Sequence, residues 1–289
     1  MIIAFYIYKK NKTKSTFWRY IFNKKIWISK SSFVDYFLFF FNGFIKIILI
    51  APYVILSFSL TFYVSNSLEQ NFGFFNTNIH NFTIIILYTV TLTVINDLVS
   101  FLIHYLMHKN KILWEFHKIH HSATSLNPIT QYRIHPVELI INNIRSIVIF
   151  GFITGIFDYI SSSEVNKIIF LGVNIFNFIF YLFGANLRHS HIKLSYPKIL
   201  EYIFISPYQH QIHHSANKKH YNKNMGSKFA IWDWIFGTLI ISENTKVFKF
   251  GVGKENEKYD KFWYNIFGPF INIKSMIYKS IVKKIKKNI

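Results

Sequence analysis

From Phe82 to Ile103 the chain runs for 22 residues with a single charged side chain, Asp97. A bilayer span needs about 20 predominantly apolar residues, and water offers no inexpensive way to cover such a run. Comparable stretches occur at about 44–66, 137–157 and 165–187. Residues 33–43 read as an interfacial lead-in to the first of these, since Asn42, Gly43, Lys46 and Pro52 interrupt the apolar pattern. The expected fold is therefore all-α: a polytopic membrane protein with about four transmembrane helices and a His-rich helical cap. Composition agrees, with 51% hydrophobic residues and 33 Phe in 289 positions. The chain has no Cys, which excludes disulfides and thiolate metal sites.

The net charge of +20 invites a nucleic-acid reading, but Lys outnumbers Arg 29 to 4 and no nucleic-acid-binding motif is present. A Lys-rich membrane face accounts for the charge, and no nucleic acid is expected as a partner. Its distribution sets the orientation. The connections at 67–81 and 158–164 contain no Lys or Arg, whereas the opposite segments hold nearly all of them. Four spans then place both termini and the His-rich segments in the cytoplasm. Residues 1–32 form a basic cytoplasmic segment with no removable signal peptide, 33–240 the membrane and metal-binding domain, and 241–289 a basic tail. The end of that tail has Ile and Lys at positions that suit an amphipathic helix on an anionic leaflet, with a solvated charged tail as the alternative.

Eight of the 13 His fall in three clusters. These are His104 with His108; His117, His120 and His121 in HKIHHS; and His210, His213 and His214 in HQIHHS. On a helix, positions i, i+3 and i+4 cover an arc of about 100°, so each cluster can present its imidazoles to one side. Neutral imidazole binds iron, zinc and copper, and eight such ligands suit two neighbouring ions rather than one. Spacing alone leaves the metal open, with Zn and Mn as alternatives to Fe. No HExxH is present, which argues against a zincin-type protease. Asp97 lies seven and eleven residues before His104 and His108, within about 20° of their face. It sits about 10 Å along the axis from His104, so it suits a supporting or channel role, or a buried structural acceptor, better than ligation. Arg133 and Arg188 stand beside IHP and HSH, where bidentate geometry can matter more than charge.

The segments HYLMHKNKILWEFHKIHHS (104–122), RIHP (133–136), LRHSHIKLS (187–195), YQHQIHHS (208–215) and IWDWIFGTL (231–239) together resemble the fatty acid hydroxylase/sterol desaturase superfamily. The resemblance covers roughly residues 85–240 and rests on order, spacing and flanking residues. It implies an integral membrane, non-haem di-iron enzyme that uses O₂ to hydroxylate or desaturate a fatty acyl, sterol or ether lipid. It adds His189 to the eight clustered His as a ligand. It implies His135 as a site neighbour, with His191 and His220 weaker candidates, and Asp233 as a structural anchor or a hydrogen-bond partner of a ligating imidazole, in a supporting set with Asp97. Two departures bear on the substrate subgroup: Lys109 stands where Arg usually follows the first motif, and 222–226 reads Asn-Lys-Asn-Met-Gly. No HPGG-like haem motif occurs, so the resemblance implies a separate electron donor of ferredoxin or cytochrome b5 type with its reductase. The competing reading is a membrane protein that binds metal without redox chemistry, such as a zinc carrier or an inactive homologue. A carrier needs polar groups across the bilayer, and these spans are apolar apart from Asn96, Asp97 and a few Asn.

Overall fold

The computed structural model describes residues 1–75, 80–161 and 178–287. Among these residues the protein is all-α, with isolated bridges only between Phe204 and Phe229 and between Ser215 and Phe250. The helices used below are α1 (Ile2–Lys10), α2 (Lys30–Phe72), α3 (Asn81–Lys109), α4 (Lys111–His121), α5 (Pro136–Ser161), α6 (Pro207–His213), α7 (Ile231–Ile235) and α8 (Phe262–Lys287). Three of them, α2, α3 and α5, are long and apolar enough to cross a membrane. The fourth expected span, 165–187, falls mostly outside the described residues; its described end carries the turn Ala185–Leu187. Phe40, Ile47, Phe62 and Phe82 on the long helices stay exposed, a pattern suited to lipid rather than water.

Helix α2 differs from the sequence expectation. Its 43 residues form one unbroken helix through Asn42, Gly43 and Pro52. At 1.5 Å per residue it measures about 65 Å, twice the hydrocarbon thickness of about 30 Å. The expected interfacial lead-in is thus its first third. That part buries Ser31, Ser32, Asp35 and Asn42, a polar stripe that lipid would leave unsatisfied. The stripe instead meets the loop before α5. Asn42 donates to the carbonyls of Tyr132 (3.1 Å) and Ile134 (2.8 Å), and Asp35 accepts from Thr130 at 2.6 Å and Arg133 at 3.1 Å.

In the membrane, α5 reaches α2 through Gly151 and Gly155, a pair at the spacing that lets helices approach closely. A Cβ on Gly155 would stand 2.7 Å from the Thr61 carbonyl and from the Val64 side chain. We therefore expect Gly155→Leu to cost about 1–3 kcal/mol by overpacking. Gly43→Ala meets open space and should be neutral. Thermal unfolding in detergent separates the two. Arg145 on α5 donates to Asn96 of α3 at 2.5 Å.

Asn110 makes the turn that builds the site. It ends α3, and its side chain accepts from the amides of Ile112 (2.9 Å) and Leu113 (3.1 Å), which starts α4 at once. The chain folds back so that α4 lies against the last turn of α3. The first half of α8 covers the other side of α4: Asn272 donates to Glu115 at 2.7 Å, and Phe270 packs on Phe116 with centroids 5.4 Å apart. Ser206 caps α6 in a reciprocal box with Gln209, with Pro207 in the first turn.

Candidate metal centre

Nine imidazoles converge where α3, α4, α6 and the segment after Leu187 meet, and they divide into two groups. His104, His108, His117, His121 and His213 form one; His120, His189, His210 and His214 form the other. Within each group one ring nitrogen per residue lies within 4.8 Å of all the others. The two HxxHH motifs do not each serve one group. His117 and His121 point to the first group while His120 points to the second, and His210 and His214 join the second while His213 crosses to the first. Helix geometry explains the crossing: i and i+4 differ by about 40° around the axis, whereas i+3 and i+4 differ by about 100°. The groups abut, with the His121 and His214 rings stacked at 4.6 Å.

The contacts test whether metal fits. In the first group His104 Nε2 lies 3.0 Å from His117 Nε2 and 3.2 Å from His108 Nε2, and His121 Nε2 is 3.2 Å from His117 Nε2. In the second, His189 Nε2 lies 3.2, 3.1 and 3.0 Å from the Nε2 atoms of His120, His214 and His210. Metal–imidazole bonds of about 2.0–2.1 Å place neighbouring ligand nitrogens about 2.8–3.4 Å apart, so these separations fit rings that could gather around an ion in each group. Several rings keep Nε2 free of hydrogen by spending Nδ1–H elsewhere. His104 Nδ1 donates to the Met225 carbonyl (2.6 Å), His213 Nδ1 to the Lys223 carbonyl (2.7 Å), and His117 Nδ1 to both Glu138 oxygens (3.1 Å). His213 Nε2 is buried with no hydrogen-bond partner. Burial holds His117 and His120 down to about 3 and pushes His121, His189, His210, His213 and His214 well below the ordinary imidazole value. The rings are therefore neutral bases, the form that ligates.

Segment 222–226 shapes the first group through its backbone. Asn222 and Asn224 adopt left-handed φ values of 57° and 52°, and Gly226 has no room for a Cβ, which would stand 2.5 Å from the Phe229 carbonyl. Asp233 fixes this turn by accepting from the amides of Met225 (2.9 Å) and Gly226 (2.6 Å) and from Thr238 (2.6 Å). Asp97 accepts from the amides of Lys228 and Phe229 at 3.0 Å and from Trp232 Nε1 at 3.1 Å. Both carboxylates thus hold the loop that supplies the carbonyls, and neither touches an imidazole of the two groups.

The other sequence candidates stand apart from the centre. His135 donates to the Ile266 carbonyl of α8 at 3.0 Å and packs on Phe116 and Phe270. His191 lies against Tyr20 with ring centroids 4.8 Å apart, and His220 is buried outside both groups. Arg133 is fully buried beneath α4, where it donates to the Ile119 carbonyl and to Ser122 Oγ. Sequence reasoning missed Glu138, whose signal was an acidic residue at the start of an apolar span. We expect Glu138→Gln to lower metal affinity or turnover about 10- to 100-fold by loosening His117, as loss of such partners generally does. Metal titration of the purified variant checks this.

Two cavities flank the rings. One, of about 420 Å³, touches His104, His117, His120, His189 and His210 and is walled by Ile103 and Met107 of α3 and Glu138 and Asn142 of α5. The other, of about 350 Å³, touches His108, His121 and His213 on the far side, beside Trp114, Tyr221 and Glu255.

The fatty acid hydroxylase profile matches residues 89–238, just over half of the 289-residue chain. Among curated proteins, the chain is 28% identical over 146 residues to the ornithine lipid hydroxylase OlsE of Rhizobium tropici, a stretch covering 50% of this chain and 40% of that protein. It is also 28% identical over 143 residues to the alkylglycerol monooxygenase of Caenorhabditis elegans, covering 50% of this chain and 25% of the relative. The chain thus spans less than half the length of either relative. No solved structure matches it. A match over half the chain, containing every imidazole of the two groups, leaves one conclusion: the chain belongs to the fatty acid hydroxylase family.

Proposed function

We propose that this protein oxidises an unactivated C–H bond of a membrane lipid with O₂, at two iron ions held by the nine clustered imidazoles. The observation that carries the reading is the paired groups of neutral rings beside a cavity walled by two membrane helices. The first ion is assigned to His104, His108, His117, His121 and His213, the second to His120, His189, His210 and His214. The relatives support the class, since one is named a lipid hydroxylase and the other a monooxygenase.

When bound, the iron pair supplies the O₂ and electron chemistry that no side chain of this chain can perform. For hydroxylation the balance is R–H + O₂ + 2 e⁻ + 2 H⁺ → R–OH + H₂O; for desaturation, two C–H bonds are lost and two H₂O form. The electrons come from a separate ferredoxin or cytochrome b5 type donor. The protein's part is placement. Ile103, Ile134, Met107 and Phe180 give the 420 Å³ cavity apolar wall against which a lipid carbon can rest beside the rings. Glu138 and the Lys223 and Met225 carbonyls hold three rings in the tautomer that aims Nε2 inward. The 350 Å³ cavity on the opposite side leaves the rings open to a donor in the cytoplasm, the side to which the charge bias assigns both cavities' His cluster.

Iron analysis of the purified full chain, with comparative lipid analysis of cells with and without it grown under ¹⁸O₂, tests this. We expect two iron ions per chain and a lipid that gains either one ¹⁸O or a double bond. Zinc in place of iron, with no lipid changed, would favour the non-redox carrier.

A further inference from the structure

The 420 Å³ cavity has a cationic end that the imidazoles do not need. Arg188, next to His189, and Lys228 both line it. Arg188 Nε donates to the Ala185 carbonyl at 3.0 Å, and its guanidinium stands over the Phe180 ring at 5.3 Å. No carboxylate pairs with it among the described residues. Lys228 Nζ reaches Asp97 only at 4.0 Å, and Asp97 already accepts from three N–H groups. Arg145, which does not line the cavity, donates to Asn96 and so brings no carboxylate to it. Glu138, the other acid in the cavity wall, is committed to His117. Positive charge therefore exceeds negative at this end, at the depth where an unpaired cation is costly and usually meets a ligand.

A third cavity, of about 460 Å³, joins the 420 Å³ one by sharing Phe180 and Lys228. Its walls are almost wholly apolar: Ile179, Phe183, Leu200, Phe204 and Phe229. Charge at one end and an apolar chamber beyond it describe the two halves of an amphiphile.

We infer that Arg188 and Lys228 bind the anionic oxygen group of an acidic lipid, carboxylate or phosphate, whose tail occupies the 460 Å³ chamber. The inference rests on the proposed lipid oxidation for its meaning and is tested without turnover. An anionic group held at Arg188, one residue from His189, places carbons near the polar end beside the imidazoles and the chain terminus away from them. Oxidation close to the headgroup follows.

The full chain, purified in uncharged detergent, is titrated with three labelled amphiphiles of equal chain length: a fatty acid, a lysophosphatidate and the uncharged fatty alcohol. We expect at least one acid to bind about tenfold or more tightly than the alcohol, the worth of a charge-assisted contact. Arg188→Gln and Lys228→Gln should each bring the acids close to the alcohol, Arg188→Lys should retain part of the gap, and Lys279→Gln on exposed α8 should leave it intact. Inorganic phosphate should compete only at far higher concentration. Equal binding of acid and alcohol, a gap that survives in both glutamine variants, or equal competition by inorganic phosphate would each overturn the site. Turnover of uncharged lipid without acid preference would leave the oxygenase reading standing and remove this one. Acid preference without turnover would do the reverse.

Discussion

His120→Ala and His213→Ala should both abolish lipid oxidation, yet they should differ in the metal they lose. His120 belongs to the group of four imidazoles and His213 to the group of five. Removing His120 leaves three rings, and its neighbour His189 loses a partner at 3.2 Å. Removing His213 leaves four, among them His104 and His117, which keep their bonds to Met225 and Glu138. Loss of an outer partner alone costs about 10- to 100-fold, so loss of a ligand should reduce activity by more than about 100-fold in either case. Iron content should fall from two toward one per chain for His120→Ala, and should be retained more weakly for His213→Ala. The double variant should lose most of both. Full iron in the double variant would remove these residues from the ligand set.

Arg133→Ala should destabilise the protein most among substitutions outside the imidazoles. The guanidinium is wholly buried and donates to the Ile119 carbonyl (3.0 Å), the Ser31 carbonyl (3.0 Å), Asp35 Oδ1 (3.1 Å), Ser122 Oγ (2.8 Å) and the Tyr259 carbonyl (3.3 Å). It thus ties α2, α4 and the segment before α8 to one side chain. Removing one partner of a buried ion pair costs about 3–5 kcal/mol, because Asp35 is left buried without its cation. Lysine should not restore the loss, since a point charge cannot serve acceptors spread around a planar fork. Ile119 and Ser122 flank His120 and His121, so metal retention should fall together with thermal stability. A variant with unchanged unfolding temperature would show that the network contributes little.

The sequence carried the imidazoles because their spacing is periodic, and helix periodicity is readable one turn at a time. The same periodicity contains the crossing of each HxxHH motif between the groups, which emerges only once angles within the motif are compared. His189 carries no local pattern and was accessible through family resemblance alone. Glu138 sits 21 residues from His117, across a loop whose path no spacing dictates. The carbonyls of Lys223 and Met225 have no side-chain signature at all, although Asn222, Asn224 and Gly226 mark an unusual backbone there. Arg133 stood out among four Arg, but its partner Asp35 lies 98 residues away in what reads as an interfacial lead-in. Local rules expose an element's face; which distant group meets that face is decided by packing.

The most direct measurement is single-turnover oxidation by the full chain in nanodiscs. The protein is loaded with iron, reduced by a ferredoxin or cytochrome b5 donor, and exposed to ¹⁸O₂ with a panel of acidic and uncharged lipids. The account predicts a lipid product bearing one ¹⁸O, or a new double bond with the label in water, and no product from the His120→Ala/His213→Ala double variant. A centre that holds two iron ions and accepts electrons but changes no lipid in the panel would contradict it.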